Sequence, residues 1–143
     1  MDDPNSRENP LNPALEDLVD HARQAALHSY SPYSGFRVGA ALRLTSGEVV
    51  TGTNVENISY GLTLCAERAA LVRAVAEFGP AIRIAAAAIA NLNSAASPPC
   101  GACRQMLAEF ADPEAPVVFP AANGLRVMAF RDLLPLAFNR KME

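Results

Sequence analysis

Residues 82–90 read Ile-Arg-Ile-Ala-Ala-Ala-Ala-Ile-Ala, an apolar run broken only by Arg83. Strand side chains alternate between faces, so a run that is apolar at consecutive positions can put neither face in water. It predicts a strand covered on both sides. Its unbroken part, residues 84–90, is seven residues long, far short of the ~20 that cross a bilayer as a helix. A chain with such a strand has to lay helices over both faces of a sheet.

The flanking sequence supplies them. A helix is predicted to begin at Pro13 with Asn12 as its cap. Leu15, Leu18, Val19, Ala22, Ala25 and Ala26 fall on one stripe of it, and the turn Ser31-Pro32-Tyr33-Ser34-Gly35 stops it. Strands follow over residues 37–44 and 48–55, with Thr45-Ser46-Gly47 as the hairpin turn. A polar loop over 54–63 leads to a helix over 66–78, ended by Gly79-Pro80. After the apolar strand, a loop over 91–99 precedes a third helix ending near Phe110. Two more strands are predicted over 117–119 and 125–130, and a short terminal helix over 131–138 despite Pro135. The expected architecture is α/β: a three-layer α/β/α sandwich around a five-stranded mixed sheet. It forms a single domain over 12–143, preceded by a flexible tail over 1–11.

Half of the 143 residues are apolar and 19% are charged, the balance of a globular domain of ordinary size. The net charge of −3 offers no basic stripe for a phosphate backbone, so nucleic acid is excluded as a partner. Nor is there an apolar run to engage a membrane. Residues 1–10 are polar and acidic and lack the order of a signal peptide. With an odd number of cysteines, this points to a reducing cytoplasm rather than to a disulfide framework.

All three cysteines lie in two short motifs, Cys65-Ala66-Glu67 and Pro99-Cys100-Gly101-Ala102-Cys103. Three thiolates leave one tetrahedral position of a zinc ion open for water, which a hydrolytic site needs. The carboxylate of Glu67 is then free to move protons for that water. Cys100 and Cys103 are three apart and can face one ion. Cys103 also heads a stripe with Met106, Leu107 and Phe110, while Glu67 heads one with Leu71, Ala74, Val75 and Phe78. A carboxylate at the head of a buried stripe is costly unless something uses it.

Cys65 and Glu67, two apart, share no helical face. Both can approach one ion only if it sits ahead of the helix, with Cys65 in the cap. Three thiolates on a dication leave a net negative charge, which Arg68 and Arg104 are placed to offset by donating to sulfur. A dithiol redox motif would leave Cys65 and Glu67 unexplained. A purely structural zinc wants a fourth ligand, and neither His21 nor His28 lies near a cysteine in the sequence.

The chain resembles the homotetrameric cytidine deaminases. The matching segments are Ser31-Pro32-Tyr33-Ser34-Gly35-Phe36-Arg37-Val38-Gly39-Ala40-Ala41-Leu42, Gly52-Thr53-Asn54-Val55-Glu56-Asn57, Ser59-Tyr60-Gly61-Leu62-Thr63, Cys65-Ala66-Glu67-Arg68, Pro99-Cys100-Gly101-Ala102-Cys103-Arg104-Gln105 and Leu133-Leu134-Pro135. The resemblance implies zinc-dependent hydrolysis of cytidine and deoxycytidine to uridine and deoxyuridine, with release of ammonia, in pyrimidine salvage. It implies one zinc ion per subunit on Cys65, Cys100 and Cys103, with Glu67 as the proton shuttle. Asn54 and Glu56 would bond the ribose, Phe36 would pack on the pyrimidine, and Ala66 would line the same site. Tyr60 and Phe138 would serve a neighbouring subunit's site, because the family completes its pockets across the interfaces of a homotetramer.

Overall fold

The computed structural model describes residues 11–139. The tail expected over residues 1–11 therefore lies, save for Leu11, outside the described residues. Helix α1 (Pro13–Ala26) starts where Asn12 Oδ1 accepts from the Leu15 N–H at 2.9 Å, with Pro13 in the first position. Strands β1 (Val38–Leu44) and β2 (Val49–Thr53) form a hairpin closed at Gly47, whose φ of 102° only glycine adopts freely. Then come α2 (Ala66–Phe78), β3 (Ile84–Asn91), α3 (Gly101–Ala108), β4 (Pro116–Ala121), β5 (Gly124–Ala129) and a single turn, α4 (Phe130–Leu133).

The five strands make one sheet in the order β2-β1-β3-β4-β5. β1 runs antiparallel to both β2 and β3, β3 is parallel to β4, and β4 and β5 close an antiparallel hairpin. The apolar strand β3 is internal and covered on both faces. Ala86, Ala88 and Ala90 pack under Leu15, Leu18, Val19 and Ala22 of α1. Ile84, Ala87 and Ile89 pack under Ala70, Leu71 and Ala74 of α2 and Leu107 of α3. The result is the three-layer α/β arrangement, with α1 alone on one face.

This topology has a consequence for the site. β2 and β3 are both antiparallel to β1, so they point the same way and their carboxyl ends share one edge of the sheet. The helix that follows each, α2 or α3, must begin at that edge.

The sequence reading differs from the structure at three places. The terminal helix stops at Leu133 instead of reaching residue 138. Pro135 disfavours helical backbone in the residue before it, and Leu134 is at φ −141°, ψ 70°. The stripes of α2 and α3 are also shorter than expected. Leu71, Ala74 and Leu107 are buried, but Phe78, the last residue of α2, and Met106, one position off the Cys103–Leu107 line that faces the core, are exposed. Finally, α1 ends at Ala26, before the Ser31–Gly35 turn is reached.

Helix α2 lies close on β2. A Cβ on Gly52 would come within 2.3 Å of Ala70 N and 2.7 Å of Ala66 O, so only glycine fits beneath the first turns of α2. Gly52→Ala must therefore lift that end of the helix. Overpacking of this kind costs about 1–3 kcal/mol, and the displaced residues include the start of the helix that carries Glu67. We expect a lower denaturation midpoint together with reduced metal content. An unchanged midpoint and full metal content would show that α2 has slack over β2.

Candidate metal centre and active site

Cys65 is the N-cap of α2 and Cys100 the N-cap of α3, each with extended backbone. Cys103 lies one turn into α3, fully buried, and its N–H points to Cys100 Sγ at 3.5 Å. Because both helices begin at the same sheet edge, three thiols from two distant motifs converge. Cys65 Sγ lies 3.9 Å from Cys100 Sγ, and Cys100 Sγ lies 3.4 Å from Cys103 Sγ. All three sulfurs fall within 4.8 Å of one another. Tetrahedral zinc with bonds of about 2.3 Å places its sulfurs roughly 3.8 Å apart, so the cluster fits that ion without rearrangement. Among the described residues, no histidine joins it. His21 sits on α1 with Nδ1 2.9 Å from the Asp17 carbonyl oxygen, and His28 lies just past the end of that helix.

The thiols behave as one unit. Cys65 is pulled down to a pKa of about 5, chiefly by the hydrogen bond from Cys103, with Arg68 adding to the effect against burial. Cys103 is pushed up, by that same bond and by its burial. A thiolate therefore exists here at neutral pH, the form a metal takes. Arg68 Nη2 reaches Cys65 Sγ at 3.4 Å and the Thr63 carbonyl at 3.3 Å. Arg104 points elsewhere. Its Nε donates to the Pro99 carbonyl at 2.7 Å and its Nη1 to the Leu133 carbonyl at 2.8 Å, tying the loop before Cys100 to α4.

Glu67 is 5% exposed, in the second position of α2. Burial raises the pKa of its carboxyl, opposed by its own backbone N–H and by the Cys103 thiol. A carboxyl group held dry beside three thiols is poised to carry a proton. Ala66 is buried next to it.

A two-sided bridge joins this centre to the polar end of β2. The Val55 N–H donates to the Leu64 carbonyl and the Leu64 N–H to the Val55 carbonyl, each at 2.9 Å. Asn54 and Glu56 flank Val55, and Cys65 follows Leu64, so all three are held at one place. Asn54 is 8% exposed. Its Oδ1 accepts from Ser29 Oγ and from the Val38 N–H, while its Nδ2 donates to the Phe36 carbonyl at 2.8 Å. One N–H of that amide is left over. Glu56 Oε1 accepts from the Tyr33 and Ser34 N–H groups at 3.0 and 3.2 Å, and Oε2 accepts from Ser34 Oγ. These bonds, the Ser34 hydroxyl first, hold its carboxyl below the usual range, so it is ionised and accepts only. Ser29 and Ser34 gave no sign of these bonds in the sequence, since a lone hydroxyl carries no spacing signal.

The aromatic candidates are spread out. Phe36 is half-buried at the entrance to β1. Tyr60, 87% exposed, lines a cavity of about 340 Å³ with Tyr33, Ser34, Glu56, Asn57 and Thr63. Phe138, 80% exposed, borders a different cavity beyond the end of α3. Its carbonyl accepts from Gln105 Nε2 at 2.9 Å.

Known proteins share this arrangement. The family model for the cytidine and deoxycytidylate deaminase zinc-binding region matches residues 13–119. The chain is 44% identical over 122 residues to a cytidine deaminase of Halalkalibacterium halodurans, covering 85% of this chain and 91% of that protein. It is 47% identical over 121 residues to a cytidine deaminase of Mycobacterium tuberculosis, covering 85% and 86%. Among solved structures, cytidine deaminase from Burkholderia pseudomallei superposes with a TM-score of 0.77 at 43% identity, over 86% of this chain and 98% of that one. The Mycobacterium tuberculosis enzyme gives 0.75 at 43% identity, over 87% and 96%. A three-cysteine cluster at two helix caps, a buried Cys-x-Glu carboxylate and these matches together make the chain a member of the cytidine and deoxycytidylate deaminase family.

Proposed function

We propose that this protein hydrolyses cytidine and deoxycytidine to the corresponding uridines and ammonia, using zinc held by Cys65, Cys100 and Cys103. The observation that carries the reading is the buried carboxyl of Glu67 beside a three-thiol cluster that fits zinc. When bound, zinc supplies a Lewis acid that makes water nucleophilic near neutral pH. Glu67 takes a proton from the attacking water and gives it to ring nitrogen N3, which makes C4 electrophilic. The same carboxyl then carries the second proton of that water to the departing amino group. Water is consumed, the C4–N bond breaks and ammonia leaves. Arg68 holds positive charge against Cys65, which offsets part of the thiolate charge.

The sugar reading follows from what Asn54 and Glu56 have left to offer. Asn54 keeps one donor and Glu56 keeps only acceptor capacity. One hydroxyl satisfies both, accepting from the amide and donating to the carboxylate. Ribose and deoxyribose both supply such a hydroxyl, the 3′ group being common to the two, and a free base supplies none. Phe36 packs on the pyrimidine ring in this reading, and Ala66 closes the pocket beside Glu67. A cytoplasmic setting suits the free thiols, and no helix among the described residues is long and apolar enough to cross a membrane.

The working form we propose is a homotetramer with sites at its interfaces. Ile58, Tyr60, Leu62, Leu136 and Phe138 all expose most of their apolar surface, a pattern that marks contact surfaces. Light scattering on the zinc-loaded protein should give four times the chain mass, and a fully active monomer would refute the assembly.

Three further outcomes test the chemistry and the sugar reading. Glu67→Gln should keep its zinc and lose about 10²–10⁴ in kcat, read as the fall in cytidine absorbance. A full rate with metal bound would overturn the proton shuttle. Stripping the metal with a chelator should abolish turnover of cytidine, and adding zinc back should restore it. Cytosine should be turned over far more slowly than cytidine by the same preparation, and equal rates would remove the sugar from the reading.

A further inference from the structure

The segment Gly35 to Val38 carries Phe36 just ahead of β1, beyond the reach of the neighbouring strands. Val38 pairs with Asn91, the last residue of β3, and Gly39 pairs with Thr53, the last residue of β2. Past those points one backbone bond remains beside Phe36, from the Leu92 N–H to the Arg37 carbonyl at 3.0 Å. Side chains take most of the other groups. On the β3 side, Asn93 Oδ1 accepts from the Arg37 N–H at 3.0 Å, and Asn93 Nδ2 donates to the Gly35 carbonyl at 3.0 Å. On the β2 side, Asn54 meets the Phe36 carbonyl at 2.8 Å and the Val38 N–H at 3.0 Å. A primary amide presents one acceptor and one donor in the same direction, as a strand neighbour does. Two asparagines therefore continue the sheet by one step on each side of Phe36.

Asn93 is itself held in place. Asn91 Oδ1 accepts from the Asn93 and Ala95 N–H groups at 3.0 and 3.3 Å, and its Nδ2 donates to the Ala95 carbonyl and to Ser97 Oγ. Ser94 sits in the left-handed region at φ 52° to close the turn. The loop formed in this way runs on to Pro99 and Cys100. Asn93 thus ties the aromatic to the same loop that delivers Cys100 and Cys103.

We propose that Asn93 is a positioning residue for the deamination reaction, acting through Phe36: its amide fixes where the ring stands relative to the cysteine cluster. This rests on the reading that Phe36 packs against the pyrimidine. The Asn93 side chain bonds to backbone on either side of Phe36, to the Arg37 N–H and the Gly35 carbonyl, so it sets ring position without taking part in proton transfer.

The test is steady-state kinetics with cytidine on zinc-loaded Asn93→Ala, Phe36→Ala and the double variant. Metal content and melting temperature are read alongside. Asn93→Ala should raise KM about three- to tenfold, the range expected for losing such hydrogen bonds, with a smaller change in kcat and full zinc. Asn93→Asp keeps the bond to Arg37 but sets a second oxygen against the Gly35 carbonyl, and should shift KM the same way. In the Phe36→Ala background, Asn93→Ala should add almost nothing, because the ring it positions is gone. A wild-type KM for Asn93→Ala, or the same fold-change in both backgrounds, overturns the proposal. If Phe36→Ala leaves KM unchanged, the ring-packing reading itself fails and takes this proposal with it. That result is distinct from the case in which Phe36 matters and Asn93 does not.

Discussion

An N-cap residue has extended backbone while the residue after it is already helical, so its side chain leans over the unpaired N–H groups of the first turn. Cys65 and Cys100 both occupy such positions, and both caps lie at the edge where β2 and β3 end. The sulfurs meet because two strands that share β1 as antiparallel partner must point the same way. Everything else at the site depends on this convergence. Cys103 reaches it from inside α3, and Glu67 reaches it from the second position of α2 because Cys65 has stepped ahead of the helix. Gly52 makes the approach possible, since a side chain there would collide with the backbone of α2.

Charge is the second constraint. Three sulfurs and a carboxyl gathered in one place, with Cys103 and Glu67 buried, cannot all carry a full negative charge without a counter-charge. The structure divides the burden. Before any metal binds, Cys65 is shifted toward the thiolate, while the bond to Cys65 and burial push Cys103, and burial pushes Glu67, toward the neutral form. Of the two arginines near the motifs, Arg68 faces the sulfur of Cys65. Arg104 spends its donors on the Pro99 and Leu133 carbonyls. Sequence spacing made the two equivalent, and it could not register that backbone carbonyls stood closer to one of them.

The elements were legible wherever a local rule operates. Asn12-Pro13, Thr45-Ser46-Gly47 and Gly79-Pro80 mark their boundaries by capping and turn chemistry, and the structure has helix or strand ends at each. The terminal helix was misjudged because Pro135 outweighs the apolar pattern around it. Met106 and Phe78 were misjudged for another reason. Periodicity marks a broad face of a helix, but only the packed structure decides which positions on that face are covered. The contacts of Ser29, Ser34 and Asn93 left no spacing signal, because each is a single polar side chain bonding to a distant segment.

The sequence by itself determined the chemistry available: three thiols and one carboxyl in Cys-x-Glu and Cys-x-x-Cys spacing, on helix starts, beside an apolar strand that has to be buried on both faces. These follow from local geometry and from the cost of exposing apolar surface, both of which are properties of short segments. Only the tertiary structure decided which groups meet. The strand order brings Cys65 to Cys100, the Val55–Leu64 bridge brings Asn54 and Glu56 to Cys65, and Asn93 closes on the backbone around Phe36. The Cys65–Cys100 and Asn93 meetings join residues 35 to 58 positions apart, and a contact at that separation depends on the whole path of the chain between its partners.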